Sequence, residues 1–63
     1  MADTTADLRA LAREVDREHN LAAAAMQRRD MTAFHRHAGR YHAAASKHDA
    51  ITGGSIRTKY ATR

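Results

Sequence analysis

An all-α fold is predicted for this chain: two antiparallel helices packed as a coiled-coil-like hairpin, followed by a short basic C-terminal tail. Three observations predict it. There is no proline, and the chain is rich in alanine and arginine, side chains that lose little rotamer freedom in a helix. Two stretches carry apolar residues at spacings of three and four, as one face of a helix requires. Asp30 stands between them and Gly53-Gly54 follows the second, residue types that start and stop helices. β-Branched residues are sparse, which argues against a sheet.

The first helix is expected over residues 4–28. Thr4-Thr5-Ala6-Asp7 has the form of a capping box, and Asp7 places negative charge where the helix dipole favours it. Leu8, Leu11, Ala12, Val15, His19, Ala22 and Met26 then fall on one stripe. Arg28 and Arg29 are expected in the last turn, where cations suit exposed carbonyls.

Asp30 is read as the N-cap of a second helix over residues 31–52. Its stripe is Met31, Phe34, Ala38, Tyr41, Ala45 and His48, a heptad spacing. Gly53 is expected to end it in the left-handed conformation. Residues 1–54 thus form the hairpin and residues 55–63 the tail, which is read as disordered, as a short extension, or as a strand formed on a partner.

A turn this short forces the helices side by side, so facing residues have numbers summing to about 60. That register sets Met26 against Phe34, Ala22 against Ala38, His19 against Tyr41 and Val15 against Ala45, with Glu18 reaching His42. Ala24, Ala33 and Ala44 are placed outside the seam, as a second small-residue surface. Residues 27–34 resemble the interhelix turn of a tetratricopeptide unit, but the usual glycine before the aspartate is missing and both helices are longer. The similarity implies a helical hairpin and no more.

Composition excludes several classes. Without cysteine there is no disulfide or thiol chemistry. No apolar run approaches the roughly 20 residues that span a bilayer. Residues 1–7 are polar and acidic, so no secretory leader is expected there. A cytoplasmic location, or a place within a virion or larger assembly, is the expectation. The scarcity of lysine beside abundant arginine and alanine suggests a GC-rich, phage-like source.

Five histidines raise the question of a metal, yet no pair has the i, i+4 spacing of helical zinc sites. Glu14 and Glu18 lie one turn apart, but two helices leave no pocket to shape a substrate. The sequence therefore predicts no enzyme, no cofactor, no metal and no small-molecule substrate. Eleven basic against seven acidic residues give a net charge of +4, a mild excess.

The leading expectation is an interaction module that docks on a protein partner or self-associates, as an assembly component or modulator does. Only twelve large apolar side chains are available, and a chain this small rarely stabilises a hairpin alone. Ala33, Phe34, Tyr41, Ala44 and Ile51 are the expected protein interface. The alternative is a basic accessory protein that contacts DNA or RNA phosphates nonspecifically. Arg36, Arg40, Lys47, Arg57, Lys59 and Arg63 are the residues expected to make those contacts.

Overall fold

The computed structural model describes residues 4–61, apart from the side chains of Thr4, Lys59 and Ala61. It is the all-α hairpin: α1 spans Thr4–Gln27, α2 spans Met31–Thr52, and a single turn, α3, spans Thr58–Ala61. The capping box rests on the Thr4 side chain and so lies outside the described residues.

The turn is made by backbone geometry at three residues. The Arg29 amide donates to Met26 O at 3.0 Å and the Asp30 amide donates to Ala25 O at 2.9 Å. These are the two bonds of a Schellman motif, with Arg29 in the left-handed position at φ 59°. α1 therefore stops one residue earlier than the sequence predicts, and Arg28 and Arg29 lie in the turn beyond it. Asp30 then begins α2, its carboxylate accepting from the Ala33 amide at 3.1 Å. At the far end Gly53 adopts φ 74°, and its amide donates to Asp49 O at 2.7 Å. Both punctuation residues act as their chemistry dictates.

The helices lie in one layer. The molecule measures 42 × 25 × 13 Å, and its smallest dimension is close to the diameter of one helix with its side chains. One broad face of the pair receives Ile56 and Tyr60 of the tail, and the other has no such cover from the described residues. The expected register holds where rings and core residues report it. His19 and Tyr41 have ring centroids 5.6 Å apart, and Val15 shares a buried cluster with Ala44 and Ala45.

The seam itself is rotated relative to the sequence reading. Its buried residues are Val15, Ala22, Ala25, Ala33, Ala44 and Ala45, together with Glu18. Ala33 and Ala44, expected outside the seam, are 6% and 1% exposed and lie within it. The physical reason is size. Alanines let two backbones approach closely, so the helices meet along alanine and carry the bulky side chains at the flanks. Met26 and Met31, expected on the stripes, are 45% and 44% exposed.

The same rotation changes the partner of Glu18. Its Oε1 lies 2.6 Å from Nδ1 of His37, not near His42. Glu18 is 3% exposed, and Arg17 Nη2 lies 3.5 Å from its other oxygen. The hydrogen bond from His37 lowers the Glu18 pKa, against the opposing effect of burial. An ionised carboxylate only accepts, so the proton of this bond sits on His37 Nδ1.

Candidate interaction surfaces

By helical period, the residues flanking the seam divide between two broad faces. One carries Asp16, His19 and Met26 of α1 with Phe34, Tyr41 and Asp49 of α2. The other carries Asp7, Ala10, Glu14 and Arg17 with Arg40, Lys47 and Ile51.

The tail folds back onto the first face. Asp49 starts the return: its Oδ1 accepts from the Ile56 amide at 2.8 Å, and its Oδ2 lies 3.8 Å from Arg57 Nη2. These contacts, led by the Ile56 amide, hold the Asp49 carboxyl below its ordinary pKa. Arg57 Nη1 also donates to His42 Nδ1 at 3.3 Å. Ile56 and Tyr60 then pack against the cluster of Val15, Ala44 and Ala45. The Tyr60 ring stacks on His19 with centroids 4.2 Å apart and meets Tyr41 edge-on at 5.7 Å. Its hydroxyl donates to the Asp16 carboxylate. Burial, reinforced by Asp16, pushes the Tyr60 phenol up to about 12. The Nδ1 of His19 is enclosed without a hydrogen-bond partner beneath these rings.

The described tail residues cover this face from Asp49 to the rings of His19 and Tyr41, about the middle of the hairpin. Towards the turn a groove of about 280 Å³ remains, lined by Ala22, Ala23, Met26, Phe34 and Ala38, with His19, Tyr41 and His42 at its inner end. Ala22 and Ala38, expected to face one another, both border it.

The second face has no such cover from the described tail residues. At the end away from the turn it holds a shallow groove of about 550 Å³, walled by Asp7, Ala10, Leu11, Lys47, Ala50 and Ile51. Next to it lies a more polar cleft containing Glu14, Arg17, Glu18, Arg40 and Lys47. Arg17 is held there by Glu14 at 3.6 Å and by Glu18.

The residues expected to form an interface are therefore dispersed. Ala33 and Ala44 are interior. Phe34 lines the groove beside the turn, Tyr41 is half-buried under Tyr60, and Ile51 is exposed on the opposite face. The residues expected to contact phosphate are likewise divided. Arg36 is exposed, and Arg40 and Lys47 border the polar cleft. Arg57 is bound to Asp49 and His42 on the other side of α2. The Lys59 side chain and Arg63 lie outside the described residues. Sequence reading missed the Asp49 anchor and the Tyr60 docking site, because neither rests on a local motif.

Among the described residues, no three His, Asp or Glu side chains converge as a metal site would require. No described helix is long and apolar enough to cross a membrane. No protein-family model, curated protein or solved structure matches the chain.

Proposed function

We propose that this chain is a non-enzymatic helical interaction module, acting by docking on a protein partner or on another copy of itself. One observation carries the reading: the distribution of large and small apolar side chains is inverted. The buried hydrophobic residues are Val15 and five alanines, whereas Leu21, Met26, Met31 and Ile51 are 40–46% exposed. Single exposed leucines are ordinary, but here a core built almost wholly of alanine leaves these four large side chains outside it. Helices with apolar flanks beyond their own seam are what partner helices pack against. The single-layer shape supports the same reading, since each helix keeps a side free for a neighbour.

The basic residues support phosphate binding less well. Arg17 and Arg57 are each held by carboxylates, and Glu14 and Glu18 share the cleft with Arg40 and Lys47. Sedimentation equilibrium at low and high salt, with and without duplex DNA, separates the two functions. Apolar helix docking persists at high salt, whereas phosphate contact weakens steeply as counterions compete. The module reading predicts salt-resistant protein association. A helical monomer that binds DNA only at low salt would overturn it.

A further inference from the structure

We propose that the face opposite the tail is a self-complementary contact through which two copies of this chain pair into a four-helix bundle. The proposal rests on the interaction-module reading and names its occupant.

A helix in a four-helix bundle meets two neighbours and needs two adjacent seams. The hairpin uses one. The face opposite the tail presents a second, again at spacings of three and four: Asp7, Ala10 and Glu14 on α1, and Arg40, Ala43, Lys47 and Ala50 on α2. The floor between these rows is apolar where Leu11 and Ile51 come together in the groove of about 550 Å³. Ile51 is 46% exposed there. Ala10 and Ala50 beside it are small enough to admit a facing helix.

Charge selects a second copy as the occupant. The α1 edge of the face carries Asp7 and Glu14, and the α2 edge carries Arg40 and Lys47. Arg17 is the exception on the acidic edge, and Glu14 and Glu18 already engage it. Among the described residues, Asp7, Arg40 and Lys47 form no direct ion pair. A patch that is apolar in the middle, acidic on one edge and basic on the other is its own complement. Rotation by a two-fold axis running along the groove lays α1 of one copy over α2 of the other and sets acid against base twice. A two-fold axis across the helices would instead set α1 on α1 and acid on acid. The charge pattern therefore fixes the axis as well as the partner.

Charge reversal tests this directly. Glu14→Lys and Lys47→Glu reverse charges that lie level with one another in the polar cleft of this face, and circular dichroism verifies that each variant remains helical. Each variant alone places like charges in both cross-copy contacts. The dimer dissociation constant should rise roughly tenfold or more in either variant. An equimolar mixture restores both contacts. The introduced lysine of one variant meets the introduced glutamate of the other, and the unaltered Lys47 of the first meets the unaltered Glu14 of the second. The mixed pair should therefore dimerise like the unaltered chain. Native mass spectrometry identifies the one-to-one heterodimer. A wild-type dimer indifferent to both reversals, or variants whose mixture gains nothing, would overturn the proposed face while leaving the module reading intact. A wild-type chain monomeric at every concentration would overturn the second copy as occupant and leave a different protein partner to be sought.

Discussion

The ring of Tyr60 stacks on that of His19 at 4.2 Å, joining residues 41 positions apart and tying the tail to the middle of the hairpin. The tail is thereby part of the folded structure. Tyr60→Ala removes the stack, the edge contact with Tyr41 and the Asp16 bond together, and should cost about 2–3 kcal/mol in urea denaturation. Tyr60→Phe retains the ring contacts and should cost about 1 kcal/mol. The alkaline limb gives a further test. Because the folded phenol is raised to about 12, its stabilising contribution is complete below the ordinary tyrosine value. It is lost as pH rises towards the folded value. Tyr60→Phe should flatten that limb, and an unchanged alkaline profile would place Tyr60 in solvent.

Arg29 occupies the left-handed C′ position at φ 59°, where a β-carbon is unfavourable and glycine is at ease. Arg29→Gly should stabilise the hairpin by about 1 kcal/mol, since the relieved conformation outweighs the added freedom of the unfolded chain. Thermal denaturation should show a higher midpoint. A lower one would mean that the Arg29 side chain makes a contact worth more than the backbone strain.

The Glu18–His37 bond gives the seam an acid limit. The folded Glu18 pKa is lowered, as is that of Asp49. Below their unfolded values the unfolded chain therefore binds more protons than the folded one. The stability these carboxylates contribute is present above the ordinary carboxylate range and is lost as pH falls through the folded values. Unfolding measured from neutral pH down to pH ~2 should show this loss, and Glu18→Gln should reduce its slope. An identical acid profile in Glu18→Gln would show that the pair contributes nothing across this range.

Ala44 and Ile51 separate the interior from the proposed contact. Ala44→Glu places a carboxylate at a position 1% exposed. It should cost on the order of 3 kcal/mol or more and greatly reduce helicity. Ile51→Glu alters an exposed position and should leave the circular dichroism spectrum largely intact while abolishing association. A fully helical Ala44→Glu variant would place Ala44 outside the seam after all.

What was legible in the sequence was local chemistry and spacing. Asp30 and Gly53 act through their own backbones and nearest neighbours, so their roles are readable without tertiary contacts. The short turn fixes the antiparallel pairing, and with it His19 against Tyr41. The rotation of the seam was not legible, because apolar spacing follows the largest side chains whereas close approach follows the smallest. Met31 and Phe34 drew the stripe one way, and Ala33 and Ala44 let the helices meet along another. Glu18 and His37 entered the seam with that rotation. The tail gave no periodic signal, and its docking depends on Asp16, His19 and Asp49, each remote from Tyr60 in the chain.

The central claim is that this alanine-cored hairpin gains stability by association, with Leu21, Met26, Met31 and Ile51 exposed outside its own seam. Binding that favours the folded state makes the unfolding midpoint depend on concentration. The most direct measurement is the thermal midpoint of the purified chain over a wide range of concentration at high salt. The account predicts a midpoint that rises steadily with concentration. One midpoint at every concentration, with full helicity throughout, would show a hairpin that is stable by itself and would contradict it.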